Sequence, residues 1–113
     1  NNYVKQGVIE APVKKKYNRR HLSCLFAICI LKQVYSISDI NTLMKSYIDS
    51  DSIEKSYNSF CEELENAINI TFSGKENIVV NANLSQDMYV LKNVVQSFAS
   101  KLYVQIVYLN KDK

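Results

Sequence analysis

The chain has 113 residues, 47% of them hydrophobic, which suits one compact domain or two very small helical subdomains with an apolar core. Its net charge is only +3, but residues 1–20 carry six basic groups and one acid, a net +5, while the other 93 carry eight and ten, a net −2. Three cysteines, Cys24, Cys29 and Cys61, with no CxxC spacing, and a single histidine argue against both a disulfide framework and a structural zinc site.

Residues 1–6, "NNYVKQ", read as the last turn of a helix, with Gly7 as the left-handed residue after its end. Val8, Ile9 and Val13 surround Glu10, Ala11 and Pro12, and Lys14, Lys15 and Lys16 follow. Two short extended pieces around a basic tip predict a small β-hairpin, or wing, over about 8–17, with Pro12 at an edge or in the turn because it lacks an N–H. The bland alternative for the basic run is a solvated lysine turn.

Asn18 is a good N-cap for the next helix. That helix carries Leu22, Leu25, Phe26, Cys29, Ile30 and Val34. With Ala27, Ile28 and Leu31 it is apolar on most faces, which predicts a central helix covered on several sides. Its run from Leu22 to Leu31 is about half of what a bilayer requires. "SISD" at 36–39 has the form of a capping box, Ser36 with Asp39, and opens a helix with Ile37, Ile40, Leu43, Met44 and Tyr47 on one face.

A third helix shows Ile53, Tyr57, Phe60, Cys61, Leu64 and Ile68 at amphipathic spacing, and Ser73 and Gly74 end it. Residues 75–83, "KENIVVNAN", suit a short strand or an extended connector. The last helix is expected from about Ser85 to Asn110. Met88, Leu91, Val95, Phe98, Leu102, Ile106 and Leu109 repeat close to a heptad along it, so it either packs on the chain's own core or forms a homodimer seam.

The chain contains no GxSxG, P-loop, HExxH or GxGxxG motif, so nothing in it argues for an enzyme, and no cofactor is implied. His21, at a helix start beside Arg19 and Arg20, has no nucleophile in reach by sequence and is expected at a surface or an interface. "CEELE" at 61–65 reads as a solvated helix face and is weak support for a metal. The cysteines are expected to act as small core hydrophobes in a reducing cytoplasm.

From Tyr3 to Met44 the order of features resembles the MerR-type winged helix-turn-helix family. Tyr3-Val4, Gly7-Val8-Ile9, Pro12, Lys14-Lys15-Lys16-Tyr17-Asn18, Leu22 with Leu25, and Tyr35-Ser36-Ile37-Ser38-Asp39-Ile40 carry the likeness. More closely, "YNRRHL…ILKQVYSISDI" is similar to a family of uncharacterised proteins of low-GC Gram-positive bacteria, a domain of unknown function with a MerR-like N-terminus. The resemblance covers roughly residues 1–65.

It implies that Lys14, Lys15 and Lys16 sit at a wing tip near a phosphate backbone, that Tyr17 donates its hydroxyl to a phosphate, and that Arg19 and Arg20 clamp the same strand. Lys5, in the remnant of a recognition helix, joins them as a DNA contact. Such contacts give affinity and register but little base information. The first helix of the motif and most of the second are absent, so the chain is expected to be a fragment with poor sequence specificity of its own. The C-terminal half departs from the classical regulators, so no dimer geometry carries over.

The expected fold is therefore mainly α, about four helices with an N-terminal β-hairpin wing. Residues 1–50 form a partial winged helix-turn-helix and 51–113 a helical region for dimerisation. The expected function is a cytoplasmic bacterial transcription regulator, homodimeric on duplex DNA, away from membranes and with room for a small-molecule effector. The competing expectation is a helical protein-interaction or ligand-sensing module with no nucleic-acid role.

Overall fold

A computed structural model describes residues 19–47, 53–75 and 85–110. Four α-helices follow in chain order: α1 Arg19–Leu31, α2 Ile37–Tyr47, α3 Ile53–Phe72 and α4 Gln86–Val104, the last continued by a π-helical segment, Gln105–Leu109. The chain divides into two compact units, Asn1–Tyr57 and Asn58–Lys113, so the boundary falls inside α3.

The expected mixture of helices with a β-hairpin is corrected. Every regular element among the described residues is helical, and no strand occurs there. Each apolar pattern in these segments repeats at three and four residues, which a helix satisfies and the period-two pleat of a strand does not. The stretch assigned to the wing, 8–17, lies outside the described residues, as do Asn18 and most of the strand or connector expected at 75–83.

In the first unit, α1 ends three residues earlier than its apolar pattern. At Leu31 the chain turns. Amides of Gln33, Val34 and Tyr35 bond back to carbonyls of Ile30 and Leu31 at 2.9–3.2 Å, closing the orphan groups of the helix end. The Ser36 hydroxyl then accepts from the Asp39 amide at 3.1 Å, the N-cap contact expected of "SISD". Asp39 lies in the first turn of α2, where the helix dipole favours a negative charge. Ile40 and Met44 are buried, as the α2 pattern predicts.

α1 is buried on one side, not on several as expected. His21, Ile28 and Leu31 are buried, whereas Leu22 is 61% and Phe26 43% exposed, and Cys29 is exposed as well. Residues 22, 26 and 29 lie on the side of the helix opposite 21, 28 and 31. A helix apolar nearly all round offers no contrast from which to choose its inward side. The expectations of a helix covered on several sides and of a core Cys29 are corrected, and His21, expected at a surface or an interface, is buried. Phe26 still has an aromatic neighbour, Tyr57 of the α3 start, in an edge-to-face contact with ring centroids 6.1 Å apart.

In the second unit, α3 buries Phe60, Leu64 and Ala67, and α4 buries Leu91, Val94, Val95, Phe98 and Ala99. Side-chain pairs among the described residues join the helices, among them Lys92 with Glu63, Gln96 with Thr71, and Tyr103 with Phe72, separated in sequence by 29, 25 and 31 residues. A near-constant offset means that α3 and α4 run in the same direction. An antiparallel hairpin would keep the sum of the residue numbers constant instead. Gln86 therefore lies about 22 Å back along the pair from the level of Phe72.

The turn away from α3 uses Gly74, whose φ of 77° is left-handed and suits glycine at the position after a helix end. Ser73 closes the last turn, its amide bonding to the Asn69 carbonyl at 3.0 Å and its hydroxyl donating to the Ile70 carbonyl at 2.7 Å. At the start of α4 the Ser85 hydroxyl accepts from the Met88 amide at 3.2 Å, so the helix begins where its sequence signal places it. The helical course also ends where expected, at Asn110, but its last turns change geometry. Beyond Val104 the backbone widens to π geometry, closed by the Asn110 amide on the Gln105 carbonyl at 2.9 Å.

Candidate nucleic-acid interface

Of the residues expected to touch DNA, Arg19 and Arg20 fall among the described residues, at the start of α1. Lys5, Lys14, Lys15, Lys16 and Tyr17 lie outside the described residues. Arg19 and Arg20 form the first turn of α1, which contains no acidic residue. The amides of a helix N-terminus present partial positive charge, so the Arg19 guanidinium there adds to a field that already attracts anions.

Arg19 has one acidic neighbour. Its guanidinium Nη1 lies 3.7 Å from Oε1 of Glu54, with the two side chains 85% and 72% exposed. An ion pair this long and this wet contributes about 0–1 kcal/mol, so a phosphate could displace Glu54 at little cost. Among the described residues, Lys32 and Lys45 are also exposed cations of the first unit.

The expected dimer seam splits. Leu91, Val95 and Phe98 are buried within the chain, which is the own-core alternative for that part of the helix. Met88 and Leu102 are half-buried, while Ile106 is 52% and Leu109 60% exposed. The seven positions therefore do not form one continuous free surface.

The acidic "CEELE" stretch holds a residue that sequence reasoning missed. Glu62 and Glu65 are exposed, as a solvated face requires, but Glu63 is half-buried. Its Oε2 accepts from Nζ of Lys92 at 2.6 Å, with side chains 15% and 31% exposed. One signal was available: Glu63 shares a helix face with the buried Phe60 and Ala67, whereas Glu62 and Glu65 flank it. A second polar link lies further along the pair, where the Gln96 amide nitrogen donates to the Thr71 hydroxyl at 3.1 Å and to Ser100 at 2.9 Å.

No disulfide joins the three cysteines. Among the described residues no cluster of three or more His, Cys, Asp or Glu side chains could hold a metal, and no helix is long and apolar enough to cross a membrane.

A family model described as Domain of unknown function (DUF1836) matches residues 1–60, which take in the basic end, α1, α2 and the start of α3. No curated protein and no solved structure shows significant similarity to the chain.

Proposed function

The chain belongs to the DUF1836 family, and on that premise we propose that it is a MerR-like bacterial transcription regulator of the cytoplasm that grips duplex DNA with its basic N-terminal end. The observation that carries this reading is the segregation of charge. Residues 1–20 hold a net +5 against −2 for the rest, and this excess leads into a first helical turn with two arginines and no acid. Phosphate backbones select for such a concentration of cations, because each neutralised phosphate releases condensed counterions. Lys14, Lys15, Lys16 and Arg19 then supply affinity without base identity.

The test is binding of the protein to duplex DNA over a range of salt. Affinity should fall steeply as salt rises. Replacing Lys14, Lys15 and Lys16 with alanine should flatten the log–log salt slope by about 3, roughly one per lysine, and weaken binding to all sequences alike. Absence of duplex binding even at low salt would sink the proposal.

One observation favours a second reading, a helical module that binds another protein. Leu22, Phe26 and Cys29 form an exposed apolar stripe on α1, inside the family-matched region. Under that reading the lysines are only solvated, and their charge reversal leaves function intact, whereas Leu22→Asp abolishes it.

A further inference from the structure

With the offset of about thirty residues between the paired helices, Tyr103 stands level with Phe72 at the end of α3. Everything beyond Val104 therefore overhangs α3. On one side of it Leu102, Ile106 and Leu109 continue the stripe of Leu91, Val95 and Phe98, so α4 carries more apolar stripe than α3 covers. Beside the stripe runs a polar row, Lys92, Gln96 and Ser100, at steps of four residues along one edge of the helix. Glu63 and Thr71 of α3 engage the first two members. The Gln96 amide nitrogen already bridges Thr71 at 3.1 Å and the third member, Ser100, at 2.9 Å.

We propose that this row is a ratchet: α3 and α4 have a second register one helical turn away, and the Lys92–Glu63 ion pair holds the first. A step of four residues slides α4 by about 6 Å along α3. Glu63 then meets Gln96 instead of Lys92, and Thr71 meets Ser100 instead of Gln96. Each polar group exchanges one partner for another, so neither the carboxylate nor the hydroxyl is stranded. The apolar seam is conserved as well. Val95, Phe98 and Leu102 take the places of Leu91, Val95 and Phe98, the same three side-chain types in a new order, and Phe72 passes from Tyr103 to Val107. The step sets Gln86 about 6 Å further back from the level of Phe72, within reach of the residues that join the two helices. Packed elements do move past one another in such one-turn jumps, because interdigitated side chains allow discrete positions and little between them. What the second register lacks is charge. Glu63 gives up an ammonium for a neutral amide, and hydrogen bonds to charged groups are the stronger ones. Lys92 is therefore the pawl, and the step it blocks would draw one more turn of the apolar overhang alongside α3.

This inference does not rest on DNA binding. Spin labels at Asn69→Cys of α3 and Asp87→Cys of α4, both exposed positions, in the full chain with Cys24, Cys29 and Cys61 replaced by serine, read the register as a distance by pulsed electron double resonance. With Lys92 and Glu63 in place a single distance is expected. Lys92→Gln gives Glu63 the same partner in both registers, so it should add a second population of comparable size, longer by about 4–6 Å. Adding Ser100→Ala should cut that second population about fivefold, the loss of one hydrogen bond. Glu63→Gln releases the same pawl from the other side, and it serves if Lys92→Gln loses helical circular dichroism. A single unshifted distance in the helical variants, a second population indifferent to Ser100→Ala, or a broad spread of distances, the mark of a helix pair come apart, would each overturn the proposal.

Discussion

The two units of the molecule use similar amounts of apolar sequence to different effect. In the first, α1 is hydrophobic around most of its circumference yet leaves Leu22 and Phe26 in water, and the ion pair from Arg19 to the start of α3 is long and exposed. In the second, α3 is more sharply divided into apolar and polar faces than α1, and a short, half-buried ion pair and an amide–hydroxyl bond cross between α3 and α4. Apolar content alone therefore does not fix how a helix sits. A contrasting polar face, together with polar groups that must find each other, fixes one rotation and one register.

Substitutions can break or sharpen that contrast. The largest effect is expected from Phe98→Ala, which opens a cavity in the apolar seam of the second unit. It should lower unfolding free energy by about 3–5 kcal/mol, read from urea denaturation, and clearly exceed the loss from Phe26→Ala on the exposed side of α1. Lys92→Met should come next. It strands the half-buried Glu63 carboxylate and should cost about 1–3 kcal/mol, with a double-mutant cycle against Glu63→Gln returning a clear coupling. Arg19→Ala should be smallest, within about 0.5 kcal/mol in the same assay, because both its side chain and Glu54 are mostly in water. A coupling at Arg19–Glu54 as large as that at Lys92–Glu63 would erase the distinction between the units.

What could be read from the residues beforehand follows the same division. The caps at Ser36 and Ser85, the stop at Gly74 and the inward faces of α2 and α3 are local signals, each set by a few neighbouring side chains, and the structure has them where the sequence places them. The rotation of α1 was illegible because both of its sides are apolar, and burial of His21 ran against the usual preference of that residue beside arginines. The direction of α4 relative to α3 was equally hidden, since a heptad stripe reads the same whichever way its partner runs. For the candidate site, the arginines at the α1 entry were legible as a charge cluster, whereas the division of the last helix into a covered and an overhanging part needed the register of the pair.

The parallel course of α3 and α4 also bears on how the second unit folds. A helical hairpin can close next to its turn first and zip outward, each new contact enclosing little extra chain. Here each of the three pairs encloses a loop of 25–31 residues. Between the shortest and the longest of these, the entropy of closure differs by only about 0.2 kcal/mol. No contact has a head start, so the pair has no zipper end. Its association should begin wherever the strongest apolar contact forms, and its rate should respond to core substitutions in the middle of the seam more than to changes near the connection.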